Sequence, residues 1–367
     1  MATQTRHWRH FDIWLLASVA VMTIAGVAMI RSAIGGNANL AELVPRQAIY
    51  ALLGFVVLFA SAAIDYRLWS ALARPLYILT VGLLLLIDLA GVVGFGSARW
   101  FNAGIVQIQP SELAKTVMII VLANFFARNE ADIQQPRTIV RSLILLGVPM
   151  LLIFRQPDLS TSIVVGVIWL ALVWAAGARI KHLLMLGGIG VAVLAAAIPF
   201  LQSYQIARVV TFLFPNPEAS YGATYNVNQS LIAIGSGGWF GEGYGQGTQV
   251  QLRFLKVRQT DFIFSVISEE FGFIGALAVM LLLMFVVYRC LRAARIARDT
   301  FGALICYGVA ILLLFQGSFN IGMNMNLFPV SGLTLPFISY GGSSLLSSLL
   351  GIGLVESVIL RHKQIEL

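Results

Sequence analysis

The sequence is short of charged residues and of cysteine. Only 11% of its 367 residues are charged, whereas about a quarter are charged in ordinary globular chains. This deficit excludes a cytosolic enzyme, a nucleic-acid-binding domain and a disordered chain. The two cysteines, Cys290 and Cys306, are too few for a disulfide framework and have no His or Cys nearby for a metal site. We interpret them as small apolar filler residues.

Apolar residues make up 59% of the chain, and the mean hydropathy is +0.86. A transmembrane helix needs about 20 mostly apolar residues. Such runs predict an all-α polytopic membrane protein, a single integral membrane domain over residues 1–367, with about ten spans: 12–31, 46–64, 74–94, 111–127, 138–154, 161–178, 182–201, 262–288, 301–325 and 336–360. The first run is too long for a signal peptide and no A-x-A site follows it, so we expect an uncleaved helix.

The basic residues predict the orientation of these spans. With the N-terminus in the cytoplasm, fifteen of the 24 Lys and Arg fall in cytoplasmic segments. The excess in short loops predicts that both termini are cytoplasmic. The long connection between spans seven and eight, residues 202–261, is then external, and a connection of that length usually carries function.

This external connection holds seven glycines within residues 235–247. One interpretation is a flexible linker. The other is a re-entrant or membrane-surface element, which the amphipathic stretch Tyr225–Ile234 and the interleaved Trp239, Phe240 and Tyr244 favour. No internal repeat indicates the two halves of an inverted-repeat transporter.

Several ionisable residues are predicted at membrane depth, where charge is costly and often functional. Glu112 and Lys115 lie three residues apart at the start of the fourth span, on one helix face. They form either a structural ion pair or part of a substrate site. Glu269 and Glu270 lie further along the eighth span, and we expect them to pair within the bundle.

Other polar residues are predicted at the external ends of spans. Arg99 beside Trp100 is suited to binding an anionic headgroup or to anchoring at the interface. Asp158, just before an apolar run, is first of all a helix N-cap, although Arg155 alongside leaves a functional role open.

Asp261 ends the external connection and begins the eighth span. It could cap that helix, or it could take a proton beside an anionic substrate. Arg253, Lys256 and Arg258 lie just upstream, and Arg208 lies at the other end of the connection. Such basic neighbours would keep the carboxylate ionised and would hold phosphates.

Five stretches, in family order, resemble the SEDS (shape, elongation, division, sporulation) proteins, the bacterial cell-wall polymerases of the RodA, FtsW and SpoVE type. They are Arg99-Trp100 with Gln109-Pro110-Ser111-Glu112 and Lys115; Gln156-Pro157-Asp158-Leu159; Gln229-Ser230 with Ile232 to Gly238; Thr260-Asp261-Phe262-Ile263-Phe264 with Glu269-Glu270; and Asn320-Ile321-Gly322 with Gly332-Leu333 and Leu335 to Ser344. Ser160, Asn326 and Thr334 depart from residues usual in the family, Gly, Gly and Pro. Residues 247–255 look more like RodA than FtsW.

The resemblance implies polymerisation of lipid II into glycan strands at the outer face of the bacterial cytoplasmic membrane. It implies a class B penicillin-binding protein and other elongation-complex membrane proteins as partners, and no nucleic acid. Asp261 corresponds to the family's essential aspartate, Glu112 and Lys115 to its cavity ion pair, and Arg208 to its loop arginine. The substrate-binding candidates are Arg99, Trp100, Glu112, Lys115, Arg155, Asp158, Arg208, Gln229, Ser236, Lys256 and Arg258.

Alternatives remain at this stage. A flippase or another transporter would place charges along a path through the membrane, and a scaffold of the wall-synthesis complex would tolerate loss of Asp261. No metal ligands are assigned, because no D-x-D cluster is present, but Mg²⁺ or Mn²⁺ stays open as an assisting cofactor. The partner's helix is expected on spans eight and nine, where small residues such as Gly302 and Gly308 either admit it or pack within the bundle.

Overall fold

The computed structural model describes residues 10–90, 92–94, 97–103, 106–197, 206, 208, 210, 212–214 and 222–362. Helices dominate these residues. They are α1 (Ile13–Ile34), α2 (Leu43–Ala63), α3 (Tyr66–Ala90), α4 (Pro110–Arg128), α5 (Pro136–Arg155), α6 (Leu159–Ala175), α7 (Ile180–Ala197), α8 (Gly222–Ser236), α9 (Thr248–Gln251), α10 (Ile263–Ile296), α11 (Thr300–Asn324) and α12 (Gly342–Leu360).

Each predicted span overlaps one of these helices, α1–α7 or α10–α12, and residues 198–201 of the seventh predicted span lie outside the described residues. Eight of the described helices are long and apolar enough to cross a membrane, and α6 is a shorter apolar helix. The prediction of an all-α polytopic membrane protein is confirmed. The last span begins later than predicted, at Gly342 instead of residue 336. The backbone is not helical before Gly342, because Phe337 has φ 66° and Gly341 has φ 168° and ψ 91°.

A small antiparallel sheet follows α3 and was not predicted. It consists of β1 (Val92–Gly94), β2 (Ser97–Ala103) and β3 (Val106–Ile108), in the order β1-β2-β3. The predicted third span ran to residue 94, but α3 ends at Ala90. Hydropathy alone could not separate the two, since the apolar strand residues continue the apolar run of the helix.

The centre of the bundle is formed by α4, α11 and α12. In the most apolar 18-residue segment of each helix, 72%, 67% and 89% of the residues are buried. Polar residues on α4 face protein instead of lipid, as Thr116 does when its Oγ1 lies 2.8 Å from Ser347 Oγ of α12. Small residues permit close helix contact there. A Cβ on Gly353 of α12 would lie 2.5 Å from the carbonyl oxygen of Leu58 in α2.

The small residues of α11 serve the same internal packing. A Cβ on Gly308 would lie 2.5 Å from Ile119 of α4, and one on Gly302 would lie 3.0 Å from the Tyr66 ring. The interpretation of Gly302 and Gly308 as partner-docking positions is therefore wrong, because both glycines face neighbouring helices of the same chain.

The glycine-rich segment closes a break in α10. At Gly272 the backbone leaves the helical conformation, with φ 65° and ψ −162°. The groups freed at the break bond to the glycine-rich turn, through Glu242 N to Glu269 O (2.9 Å), Gly243 N to Glu270 O (3.0 Å), Phe273 N to Gly238 O (2.8 Å) and Ile274 N to Trp239 O (3.2 Å).

These contacts place the turn at membrane depth. Glu269 to Ile274 lie six to eleven residues into α10, which is roughly 9–17 Å along the helix at 1.5 Å per residue. The Tyr244 hydroxyl also donates to the carbonyl of Ala28, inside α1 (2.8 Å). The structure thus agrees with the re-entrant interpretation, and the flexible-linker interpretation is wrong for residues 222–262.

The close contact between the backbones of Gly241 and Glu270 predicts that Gly241→Ala destabilises the protein. Its φ is 81°, and a Cβ there would lie 2.2 Å from the carbonyl oxygen of Glu270. The control is Gly238→Ala, because Gly238 also has positive φ (51°) but nothing within 4 Å of its Cβ position. We expect Gly238→Ala to cost about 1–2 kcal/mol and Gly241→Ala a further ~1–3 kcal/mol, measured as Tm. Equal Tm values for the two variants would contradict this account.

Candidate functional site

A cavity of about 690 Å³ opens at one end of the bundle. Its walls are formed by the starts of α4, α6 and α12, by the turn 257–261 that precedes α10, and by the extended segment 329–334. The first turns of α2 also line the cavity, through Leu43 and Tyr50. These five helices are the even-numbered spans, so all of them begin at the same face. The described chain ends, His10 and His362, lie together with ring centroids 5.2 Å apart, at the opposite face.

Asp261 lies on the cavity wall, half-buried, in the turn before α10. Two amides of α11 hold its backbone carbonyl, since Asn320 Nδ2 donates at 3.1 Å and Asn324 Nδ2 at 2.9 Å. The N-cap position of α10 is Phe262 and carries no side-chain cap bond. The carboxylate of Asp261 is therefore directed to a role other than the capping that its sequence position suggested.

Burial raises the pKa of Asp261 from 3.8 to about 6, while attraction to Arg208 and a hydrogen bond from the Thr260 side chain act in the opposite direction. Arg208 lines the same cavity and donates from Nη1 to the Ser331 carbonyl (3.2 Å). A carboxylate with a pKa near 6 beside a guanidinium is suited to accept a proton at neutral pH.

Glu112 and Lys115 form the ion pair that their spacing indicated, with Oε2 and Nζ 2.8 Å apart. Glu112 lines the cavity, whereas Lys115 is only 1% exposed. Lys115 also donates to Gln316 Oε1 (3.0 Å), and Gln316 Nε2 donates to Thr334 Oγ1 (2.9 Å) and Ser344 Oγ (3.2 Å). A connected polar network therefore fixes the wall behind the cavity.

Asp158 is the N-cap of α6, as predicted, because its Oδ1 accepts from the backbone N–H of Thr161 (3.2 Å). Its Oδ2 accepts from Ser111 Oγ and Gln109 Nε2, both at 3.1 Å. Asp158 also lines the cavity. These bonds join the starts of α4 and α6, so its observed contacts are those of a structural capping residue.

The basic candidates upstream of Asp261 lie elsewhere. Arg258 is 5% exposed and donates to the carbonyls of Leu255 (3.1 Å) and Ile34 (3.3 Å) and to that of Ala33. It thus joins the turn to the end of α1 instead of lining the cavity. Lys256 lies over the Tyr225 ring, with Nζ 6.0 Å from the centroid.

Three further candidates also lie away from the described cavity wall, and two more have no described side chain. Arg155 is 71% exposed on its side chain and pairs with Asp88 at 3.3 Å. Gln229 and Ser236 lie on α8, and neither lines the cavity. Arg99 and Trp100 belong to β2, and their side chains lie outside the described residues.

The sequence reasoning missed the role of Gln316, Asn320 and Asn324. They recur every four residues along α11, so they share one face of an otherwise apolar helix. That pattern was the available signal, because amides at membrane depth need partners. Within the described ranges no group of three or more His, Cys, Asp or Glu is placed to hold a metal ion. The cofactor prediction stays untested.

These features define a multi-pass membrane protein with a cavity at one face that has charged residues in its wall. A family model described as "Cell cycle protein" (FtsW, RodA, SpoVE) matches residues 8–364. The chain therefore belongs to the FtsW/RodA/SpoVE family, as the motifs indicated.

Curated relatives match this chain along nearly its whole length. The chain is 36% identical to "Peptidoglycan glycosyltransferase MrdB" of Escherichia coli (strain K12), over 97% of this chain and 95% of the relative. It is 37% identical to "Stage V sporulation protein E" of Bacillus subtilis (strain 168), over 85% and 86%. With its apolar helices, this makes the chain a multi-pass bacterial membrane protein.

Solved structures share the fold. One, described as "Structural coordination of polymerization and crosslinking by a peptidoglycan synthase complex", has a TM-score of 0.81 and 30% identity, covering 96% of this chain and 99% of that one. The rod shape determining protein RodA of Thermus thermophilus has a TM-score of 0.73 and 30% identity, covering 96% and 98%.

The buried ion pair predicts a stability loss in Glu112→Gln. The substitution leaves Lys115 with Gln316 as an acceptor but without a counter-charge, and breaking a buried pair costs about 3–5 kcal/mol. Because Glu112 is 13% exposed, we expect the lower end of that range, seen as a reduced Tm. The double variant Glu112→Gln/Lys115→Met should recover part of the loss. A single variant with unchanged Tm would contradict the prediction.

Proposed function

We propose that this chain is a peptidoglycan glycosyltransferase that polymerises lipid II into glycan strands at the outer face of the cytoplasmic membrane. The observation that carries the proposal is the half-buried carboxylate of Asp261, with Arg208 nearby, on the wall of the cavity. The glycosyltransferase names of relatives matched over nearly the full chain support the reaction class.

In this proposal Asp261 is the general base. The 4-hydroxyl of the acceptor sugar gives its proton to the carboxylate while its oxygen bonds to the anomeric carbon of the donor. The bond from that carbon to the lipid diphosphate breaks, and the diphosphate leaves with the electron pair. Asn320 and Asn324 hold the backbone of the base, so the carboxylate stays in place as it gains the proton.

The leaving diphosphate needs positive charge and N–H donors. Arg208 supplies a guanidinium on the cavity wall. The helix starts add partial positive charge there, and α4 and α12 carry no side-chain cap bond that would occupy their first N–H groups. Glu112 and Asp158 are assigned to the substrate-facing wall, and Lys115 holds Glu112 from behind it. Arg99 and Trp100 stay proposed as ligands on the family resemblance alone. Arg155, Gln229, Ser236, Lys256 and Arg258 are no longer proposed as ligands, since they lie off the cavity.

Mg²⁺ or Mn²⁺ would add charge neutralisation beside the diphosphate. Polymerisation that survives full chelation with EDTA would contradict this part of the proposal.

The depth of the cavity argues against a transporter. Its lining reaches Tyr50, seven residues after the start of α2, and Phe319, five residues before the end of α11. These residues lie roughly 8–11 Å from the helix end at 1.5 Å per residue. A flippase needs a path through the midplane, so a cavity confined to one face favours chemistry at that surface. The excess of basic residues in the loops predicted to be cytoplasmic supports the proposal that this face lies outside the cell.

For partners we propose a class B penicillin-binding protein, other elongation-complex membrane proteins, and a RodA-type role in elongation. A similar solved structure is described as a peptidoglycan synthase complex, which supports the first of these. With Gly302 and Gly308 facing inward, the outer face of α10 is the proposed contact for the partner's helix. The exposed large side chains there include Phe273, Leu281 and Tyr288.

Asp261→Asn separates catalysis from folding. An amide cannot take up the proton, so we expect polymer formation on a gel to fall at least about 100-fold with retained lipid II binding. The control is Asp132→Asn, an exposed carboxylate at the opposite face. Near-normal polymerisation by Asp261→Asn, with or without the partner, would overturn the assignment.

The raised pKa of Asp261 also predicts the pH dependence. Below pH 6 the base is protonated, so the rate should fall about tenfold per pH unit there and level off above it. The pH dependence of stability has the opposite sign to that of the rate. The folded state binds this proton more tightly than the unfolded state, so ionisation destabilises the fold as pH rises from about 4 to 6. Asp261→Asn should therefore melt at the same or a higher temperature than wild type at pH 7. A flat rate profile between pH 5 and 7 would contradict the assignment.

A further inference from the structure

A second recess lies at the opposite face of the bundle. It has a volume of about 320 Å³ and lies between the start of α1, the last turns of α10 and the end of α12. Its polar lining is mainly basic, consisting of His10, Asp12, Arg289, Arg292 and His362. The mechanism proposed above makes no use of these residues.

The single carboxylate of this lining is already neutralised. Asp12 Oδ1 accepts from the backbone N–H of Leu15 (3.0 Å), and Oδ2 accepts from Arg289 Nε (2.7 Å). The nearby Glu356 is fully buried and does not line the recess. Its Oε2 accepts a hydrogen bond from the backbone N–H of Asp12 (3.1 Å). Arg292, by contrast, is exposed and forms no salt bridge among the described residues. Its guanidinium therefore adds positive charge that no described carboxylate neutralises.

The recess lies at the depth of lipid headgroups. The helix α10 has 34 residues, about 51 Å at 1.5 Å per residue, which exceeds a hydrocarbon core of about 30 Å. Arg289 and Arg292 follow Ile263 by 26 and 29 residues, roughly 39 and 43 Å, so both lie beyond that core. The recess also includes Ile13 and Trp14, which are 71% and 69% exposed. Tryptophan is typical of the membrane interface.

We propose that this recess binds the phosphate of an anionic phospholipid headgroup in the leaflet at the chain ends, with Arg292 as its main ligand. Guanidinium groups bind phosphate oxygens through paired N–H donors. Basic pockets between transmembrane helices at the cytoplasmic side are suited to such headgroups. The exposed Ile13 and Trp14 favour a lipid over free phosphate, because they offer apolar contact to acyl chains.

The test is lipid retention by the full-length protein, measured by native mass spectrometry from phosphatidylcholine nanodiscs with and without phosphatidylglycerol. The variant is Arg292→Gln. The matched control is Arg295→Gln, which removes an equally exposed arginine of the same helix end that does not line the recess. A parallel arm adds inorganic phosphate alone, and Tm in pure phosphatidylcholine confirms folding.

We expect wild type and Arg295→Gln to retain phosphatidylglycerol, and Arg292→Gln to retain it about fivefold less. Equal losses in both variants would show unspecific attraction to the surface and overturn the proposal. So would wild-type protein that retains no more phosphatidylglycerol than phosphatidylcholine. Inorganic phosphate that blocks retention at millimolar concentration would overturn the assignment to a lipid.

Discussion

The break in α10 at Gly272 leaves four backbone groups that must find partners inside the protein, because hydrocarbon offers none. The glycine-rich turn supplies them, and only residues without a Cβ allow its backbone to approach α10 closely enough. The turn is therefore held at a fixed depth. The chain must then return to the surface through residues 248–262, and that return ends in the turn that carries Asp261.

The return segment is held from three sides. Arg258 bonds to the last carbonyls of α1, the two asparagines of α11 bond to the carbonyl of Asp261, and Tyr340 N donates to Gln259 O (2.9 Å). Val257 adopts φ 53°, which is unfavourable for a β-branched residue. Such strain persists only where the surroundings fix the backbone, and it is common at functional sites. The base thus lies on a segment that has little freedom to move.

Hydropathy and charge predicted the ten helices, because a membrane span is recorded in local composition. Asp261, Glu112 and Asp158 were also predicted, since each lies at a helix start that the sequence marks. The contacts of Arg258 with the end of α1 were not predicted. A run of basic residues does not indicate which guanidinium will be buried against backbone carbonyls that are far away in the sequence. Departures from the family pattern became interpretable only with geometry. Asn326 has φ 57°, a conformation that asparagine tolerates better than most residues, and Thr334 bonds to Gln316 as proline could not.

The cavity is assembled from the starts of spans two, four, six, eight and ten, so it depends on the number of membrane crossings between them being even. Each of these starts reaches the same face only while an even number of crossings separates it from the next. A single span gained or lost between them would move part of the site to the other side of the membrane. One added before α1 would move the whole site to the opposite compartment. Chains of this architecture can thus lengthen by helical hairpins but not by single helices.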